Sequence, residues 1–470
     1  TEYYFFLRGN VPWVRWTPVA EQATVVRMVT AGDVVSAVQR ACDPRLGAPG
    51  AHVLAGLISG CAEALDTPFE RLRPDTLGAI GVQALDDTTL RIQLERAAAY
   101  FPAVASMAIL RPVPQEIIDQ YDTAWIEPGN LVTNGPYVLH EHIREVRRVL
   151  VRSPLLPDDL RGPGNVERWM VNMVEDQATA LYLYLQGRLD TAVVPLGEPA
   201  TFSDYPGEVR LVPTLGTVYV GFAFDKPPFD KAGVRRAFSA ALDRDAFVRW
   251  VYPGLPMIHF TPPGVFGAPP ADEVGVGYNA DYARAQLAEA GYPGCQGIGP
   301  LTLLSALPDN QVAFLLDAWQ RELGCDPMMF TVTTVDLPTL CARVDFNGLD
   351  EARPHLWTGV RSPDYPDVYG WLGDGLYCNA QPEARRPCSA VDDVISQVRW
   401  NLDQAARAEL ARRAEEMFFG AEGEMPLAPW YAAASFRALQ PWYSGPVETD
   451  GLFGGFHLDW VTLGARVSTP

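Results

Sequence analysis

The spacing of apolar and polar positions changes period several times along the chain. From Ala31 to Ala41 apolar residues recur at helical spacing, and Asp33 stands where an N-cap is expected. From Ala84 to Leu94 a turn leads into a period of two, which puts Leu90, Ile92 and Leu94 on one face of a strand. Tyr3 to Leu7 is β-rich with weaker alternation. Pro102 and the run Arg111-Pro112-Val113-Pro114 then break the pattern. Tyr137 to Leu139 and Val146 to Val151 predict a hairpin, and Asp176 to Leu185 a helix ending near Gly187. Val218 to Phe224 reads as a strand of alternating aromatic and small residues. Lys231 to Val251 predicts one long amphipathic helix. Further helices are expected over Ala280 to Ala290, Gln311 to Leu323 and Leu402 to Phe419, the last with Leu410, Ala414 and Met417 on its apolar face. Met328 to Thr333 predicts a strand, and Pro429 to Val467 returns to strand-like aromatic sequence. Strands and helices interleave throughout, which indicates an α/β class. The absence of a repeat of about 20–50 residues excludes a solenoid or propeller.

Composition narrows the class. At 470 residues the chain is too long for one ordinary core, and two or three domains are expected. Its 48 % hydrophobic and 20 % charged residues are a globular balance. A net charge of −20 argues against nucleic acid and against an anionic membrane face as partners, since phosphate binding needs an excess of Lys and Arg. Lysine occurs only at Lys226 and Lys231, which reads as a compositional bias and not as a binding patch. The longest apolar stretch, from Ala97 to Leu110, is too short for a membrane span and carries Pro102. The opening Thr1-Glu2-Tyr3-Tyr4-Phe5-Phe6 reads as the middle of a strand and not as a signal peptide, so the true start is expected upstream.

The seven cysteines fall into three local pairs, Cys42 with Cys61, Cys295 with Cys325 and Cys378 with Cys388, leaving Cys341 over. This spacing suggests disulfides and an oxidising compartment. The alternative is a metal site, but there is no CxxC and no Cys/His cluster at zinc spacing. His140 and His142 share a strand face without a third ligand at a telling distance. No metal and no cofactor are expected. There is also no GxSxG, HExxH, Walker loop or Gly-rich strand–helix fingerprint, so an enzyme is not expected. The acidic pairs Asp86-Asp87 and Asp392-Asp393 are adjacent in sequence, and on a strand such neighbours point apart.

A set of short motifs, in order along the chain, carries a resemblance. Asn130 to Leu139 (NLVTNGPYVL) resembles the "NIVTNGPYxL" motif of family 5 extracellular solute-binding proteins, the oligopeptide and dipeptide receptors. Phe5-Phe6-Leu7-Arg8, Ala84-Leu85-Asp86-Asp87 and Gln186-Gly187-Arg188-Leu189-Asp190 are similar to further motifs of that family. So are Pro227-Pro228-Phe229-Asp230 with Val234 to Arg244, Leu287 to Tyr292, and Asp364-Tyr365-Pro366-Asp367. The resemblance implies a three-lobed clam-shell periplasmic-binding-protein fold (type II, cluster C-like), α/β with mixed sheets and a strand hinge. Placed on this sequence, a small lobe covers 1–133, a hinge lobe 134–224 plus 430–470, and a far ligand-binding lobe 225–429. It implies capture of a small peptide or similar solute by hinge closure and delivery to an ABC transporter permease. The location implied for this bacterial-type receptor is extracytoplasmic, in the periplasm or on the outer face of the cell membrane, with any lipid anchor upstream of Thr1.

Two departures from the family pattern bear on the ligand. The family's first strands, which precede the "TFHLR" motif, are absent. The family enters "DYPD" through Gly-Trp-x-x-Asp, whereas here Val360 stands in the place of the Gly and Arg361 in that of the Trp. An insertion around Trp16 to Ala31 has no reading.

By resemblance, Asp364 holds a ligand ammonium through a charge-assisted hydrogen bond; otherwise it is a turn residue ahead of Pro366. Arg361 pairs with Asp364, clamps a ligand carboxylate, or is a solvated surface arginine. Trp357 and Tyr365 line the cleft or pack in a core. Asn134-Gly135-Pro136 and the proline-bearing stretch from Asp225 to Asp230 read as turns. Two rival functions remain open: a receptor fold reused as an accessory subunit of a larger protein assembly, and a receptor for a non-peptide solute such as a sugar, a chelate or an opine-like compound.

Overall fold

The computed structural model describes residues 1–195, 208–344, 353–378, 385–446 and 457–465. The chain forms two compact units: Thr1–Arg210 with Phe436–Pro470, and Leu211–Ser435. The backbone passes between them inside two long strands, Val209–Phe222 and Leu427–Leu439. The first unit therefore takes in both the stretch expected as a small lobe and the one expected as a hinge lobe. The crossings also lie some residues from those expected near 224 and 430. Alternation marks a strand from end to end, and carries no sign of where along it the chain leaves one core for another.

In the first unit, strands β1 (Glu2–Phe6), β2 (Pro12–Thr17) and β3 (Gln22–Met28) precede helix α1 (Ala31–Ala41). Then come β4 (Val82–Ala84), β5 (Thr89–Gln93), β6 (Val132–Thr133), β7 (Tyr137–Ile143), β8 (Arg147–Arg152) and β9 (Arg168–Asn172). They form three-stranded sheets in the orders β1-β5-β4, β3-β2-β6 and β7-β8-β9. Leu90, Ile92 and Leu94 are buried, as the period of two requires.

The N-cap of α1 is Thr30, not Asp33. Asp33 stands three residues further on, and the two form a capping box. Its carboxylate is buried and accepts from Thr30 N at 2.8 Å, Trp13 Nε1 at 3.0 Å and Arg27 Nη2 at 2.6 Å. Burial on its own raises the Asp33 pKa, but the Arg27, Thr30 and Trp13 donors outweigh it and hold the carboxyl below its ordinary value.

A disulfide joins Cys42, just past α1, to Cys61, with Cα atoms 5.4 Å apart. It closes a loop with a sequence separation of 19, for which chain entropy gives about 3 kcal/mol. Replacing both cysteines by alanine is expected to cost that amount in a urea titration under oxidising conditions. No change in midpoint would mean that the loop stays closed without the bond.

Helix α2 (Gln177–Leu185) is capped by Asp176, which accepts from Thr179 N at 2.7 Å, and Gly187 follows with φ of 68°. Strand β10 (Thr191–Val194) pairs with the end of the returning strand, Thr191 opposite Leu439. Leu181, Tyr184, Ala192, Val194 and Ala438 form the core there.

The second unit is one sheet flanked by helices. Its elements are β11 (Val209–Phe222), α3 (Ala232–Ala240), α4 (Arg244–Trp250), β12 (Gly254–Pro256), α5 (Ala280–Glu289), β13 (Leu301–Ser305) and α6 (Asp309–Leu323). They continue with β14 (Phe330–Thr334), α7 (Leu337–Val344), β15 (Leu356–Arg361), α8 (Tyr369–Leu376), α9 (Ala390–Trp400), α10 (Gln404–Phe419) and β16 (Leu427–Leu439). The strand order is β16-β11-β15-β13-β14, with β12 on β16. β13 runs parallel to both β14 and β15, while β15 is antiparallel to β11.

The long helix expected over Lys231 to Val251 is broken into α3 and α4. The carboxylate of Asp243 accepts from Ala246 N at 2.9 Å and starts the second helix. Buried Arg244 donates to the Ser239 and Leu242 carbonyls at 3.1 Å each, which pins the break. Disulfides join Cys295 to Cys325 and Cys378 to Cys388. Cys341 is free and exposed. No helix among the described residues is long and apolar enough to cross a membrane.

Candidate functional site

β15 enters the sheet paired on both sides and leaves it paired on one. Along β11 its register runs from Phe222 opposite Leu356 to Thr217 opposite Arg361. Along β13 it extends only over Leu303 with Leu356 and Leu304 with Trp357. β13 ends at Ser305, whose hydroxyl lies 3.0 Å from Thr358 Oγ1. Among the described residues, no strand pairs with Gly359, Val360 or Arg361 on that side. Such an edge offers backbone donors and acceptors to an extended segment.

Two glycines shape the β11–β15 pair. Gly359 lies opposite Tyr219, and Gly221 opposite Trp357. A Cβ at Gly359 would collide with the Tyr219 ring, and one at Gly221 with the Trp357 indole. Each ring therefore lies across a glycine of the neighbouring strand, which only a residue without Cβ permits.

The loop that follows, Ser362 to Val368, is held from below by a buried ion pair. Arg407 on α10 donates through Nη1 to Asp367 Oδ2 at 2.7 Å and through Nη2 to Oδ1. Arg407 Nε also donates to Val398 O at 2.6 Å, and Asp367 Oδ1 accepts from Tyr369 N at 2.9 Å. Both side chains are buried, so every donor and acceptor has to be satisfied inside. Asp367 closes the Asp364-Tyr365-Pro366-Asp367 stretch, and its task is anchoring.

The four candidate residues separate by environment. Asp364 is exposed at the head of the anchored loop. Arg361 is half-buried and donates through Nε and Nη2 to Gly370 O at 3.1 and 2.8 Å, tying β15 to α8. Trp357, 2 % exposed, packs with Ala223, Leu304, Leu340 and Val344. Tyr365 is 3 % exposed, and its hydroxyl donates to Asp374 Oδ2 at 2.5 Å. Asp364 and Arg361 thus reach solvent, while Trp357 and Tyr365 support the site from inside.

A concavity of about 430 Å³ opens beside β15, lined by Tyr219, Leu337, Leu340, Cys341, Trp357 and Val360 among others. Sequence reasoning passed over Tyr219 and the α7 residues. The signal available was the alternation Tyr219, Gly221 against Trp357, Gly359, which is the pattern of two strands covering each other's glycines.

The Asp225 to Asp230 stretch is more than a turn. Asp225 takes an ion pair from buried Arg353 and a second from Arg385 at 3.0 Å. Burial on its own raises the Asp225 pKa, and the two arginines bring it below the ordinary carboxylate value. Cys378, Cys388 and Asp392 have the closeness of metal ligands, but the two sulfurs are joined to each other and Asp392 is paired with Arg386.

The chain is similar to known solute receptors over nearly its whole length. The family of bacterial extracellular solute-binding proteins, family 5, matches residues 1–345. The chain is 28 % identical over 464 residues to the periplasmic oligopeptide-binding protein OppA of Escherichia coli (strain K12), covering 95 % of this chain and 79 % of that protein. It is 26 % identical over 459 residues to the probable deoxycholate-binding periplasmic protein YgiS of the same organism, covering 94 % and 79 %. Among solved structures, the unliganded open form of the periplasmic murein tripeptide binding protein MppA superposes with a TM-score of 0.79 at 24 % identity, over 98 % of this chain and 85 % of that one. HbpA2 from Haemophilus parasuis gives 0.78 at 20 %, over 99 % and 88 %. The fold is that of the periplasmic solute-binding proteins, with mixed α/β sheets. The chain belongs to the family 5 bacterial extracellular solute-binding proteins.

Proposed function

We propose that this protein captures a short peptide, or a solute with a peptide-like backbone, by hinge closure outside the cytoplasm and delivers it to an ABC importer. The observation that carries the reading is the open edge of β15 at Gly359 to Arg361, with exposed Asp364 three residues beyond it. An extended ligand adds to that edge through backbone hydrogen bonds, which accept any sequence. Asp364 takes the ligand's ammonium group. Arg361 holds the strand to α8 beside it, and Trp357 and Tyr365 stiffen the edge from within. The related oligopeptide receptor supports the peptide class. The three disulfides support an oxidising, extracytoplasmic setting.

Calorimetric titration with trialanine tests this. Asp364→Asn is expected to weaken binding by about tenfold, the scale of a lost charge-assisted hydrogen bond. N-acetyl-trialanine, which has no ammonium group, is expected to bind both forms equally. An unchanged Kd for trialanine would overturn the assignment of Asp364.

A further inference from the structure

We propose that a hollow in the first unit, between the β1–β5 face, helix α1 and the turn at Leu110 to Pro112, binds a small amphiphilic acid, an apolar body of about ten heavy atoms that ends in a carboxylate. The site shares no residue with the β15 edge and does not depend on the peptide reading.

The shape comes from the strand pattern. A period of two puts Phe5 with Leu7, and Leu90 with Ile92, on one face, and Phe5 lies opposite Leu90 across the β1–β5 pair. With Val34 of α1 and Leu110 these side chains surround a space of about 240 Å³. Leu90 and Ile92 are buried and form its floor, whereas Phe5 and Leu7 are half-buried and form a rim. β1 is the outer strand of its sheet, and among the described residues no strand pairs beyond it. An apolar cavity of about 150 Å³ takes up benzene, and on that scale 240 Å³ holds about ten heavy atoms.

The charge is confined to one place. Every lining side chain is apolar except that of Arg111, which is exposed at the rim. No acid lines the hollow, in a chain whose net charge is −20. A guanidinium keeps its charge and presents a planar fork of donors that matches a carboxylate. A polar ligand body would give up water inside and gain nothing in return. An ammonium head would meet Arg111 as a like charge. An apolar body with an anionic head satisfies both parts.

The walls are fixed from outside the hollow. Val113 N donates to Asp33 O on α1 at 3.2 Å, and Arg111 N to Ala108 O at 3.2 Å, while Pro112 and Pro114 limit the backbone between and beyond. Leu7 N donates to Thr88 O at 2.7 Å, and the Phe5 ring packs against Phe101 with centroids 6.3 Å apart. A ligand entering a space already shaped pays little for ordering it.

Octanoate matches the size and serves as the probe, with octanamide as its uncharged counterpart. Calorimetric titration is made on the protein as its source produces it, with whatever precedes Thr1 in place. Octanoate is expected to bind about tenfold more tightly than octanamide, the scale of a charge-assisted pair. Arg111→Gln is expected to weaken octanoate by about tenfold and to leave octanamide within about twofold. Ala105→Phe, which fills the hollow from the short helix Phe101–Ala105, is expected to weaken both by about tenfold. Saturating trialanine is expected to leave the octanoate Kd within about twofold, since the two sets of residues do not overlap. Octanoate that binds Arg111→Gln as tightly as the unaltered protein, or that trialanine displaces, would lie elsewhere and would overturn the proposal while leaving the peptide reading standing. Absence of heat from octanoate would overturn it too. Heat that appears only once residues upstream of Thr1 are removed would mean that the chain itself fills the hollow, which overturns it as well.

Discussion

Replacement of Asp367 by alanine is expected to lower the unfolding free energy by about 3–5 kcal/mol, the usual penalty for breaking a buried ion pair from one side. Asp367 and Arg407 are 3 % and 1 % exposed, and the alanine leaves the guanidinium buried without its counter-charge. Val398 O still accepts from Nε, but the two bonds from Nη1 and Nη2 are lost, as is the one from Tyr369 N. The double replacement Asp367→Leu with Arg407→Met is expected to recover most of the loss, since a packed apolar pair removes both desolvation terms together. Urea unfolding followed by tryptophan fluorescence reports it, because Trp319, Trp371 and Trp430 are buried in the same unit. The single replacement is also expected to weaken trialanine binding, because Asp367 anchors the loop that carries Asp364. A loss of stability below about 1 kcal/mol would mean that water reaches Arg407 and the pair is not an anchor.

Glu415→Ala is expected to cost about 4 kcal/mol, the sum of a few orphaned donors at about 1–3 kcal/mol each. Glu415 is fully buried on α10 and accepts from Phe260 N at 3.1 Å, Thr261 N at 2.9 Å and the Thr261 hydroxyl at 2.6 Å. Among the described residues, Glu415 is the acceptor for both amides, so its removal leaves backbone donors buried and unmade. Glu415→Gln retains one acceptor oxygen and is expected to cost about half as much. Hydrogen exchange separates this from a general loss of stability: the Phe260 and Thr261 amides are expected to exchange faster in the alanine form by more than the global destabilisation explains. Equal acceleration throughout the unit would mean that Glu415 contributes to packing alone.

The same two charged residues show where pattern reading reaches its end. Leu410, Ala414 and Met417 form the expected apolar face of the 404–419 helix, and only Ala414 is buried. The buried side carries Arg407, Ala411, Ala414, Glu415, Phe418 and Phe419. A hydrophobicity pattern places an arginine and a glutamate in solvent. They turn inward here because Asp367 and the Phe260–Thr261 backbone wait for them, more than 150 residues away in one case. The break between α3 and α4 is of the same kind, since Lys231 to Val251 holds its helical period while Asp243 and Arg244 find capping and carbonyl partners that interrupt it.

The site was legible in part. The motif around Asp364 to Asp367 marks a constrained turn, because residues ahead of a proline in a fixed polar order restrict the backbone, and the structure holds that loop through Asp367. Which of the two aspartates faces solvent and which is an anchor depends on the position of Arg407, and that is a long-range fact. Tyr219 and α7 escaped notice because an aromatic strand residue and a short amphipathic helix look alike in any α/β unit.

The sequence by itself determined the α/β class, the local cysteine pairs, the period-two strand at 89–93, the hairpin at 137–152, and, through its ordered motifs, the receptor family. These are local properties: backbone propensity, alternation and short spacings act over a few residues and survive in the linear string. Only the tertiary structure decided that Trp357 and Tyr365 lie inside, that Arg361 ties β15 to α8, that Asp367 is an anchor, and that β15 runs past its neighbour β13 to an edge that no strand among the described residues covers. Each of these depends on which groups from distant segments meet. A buried charge or an unpaired strand edge is defined by its neighbours, and neighbours exist only once the chain has folded.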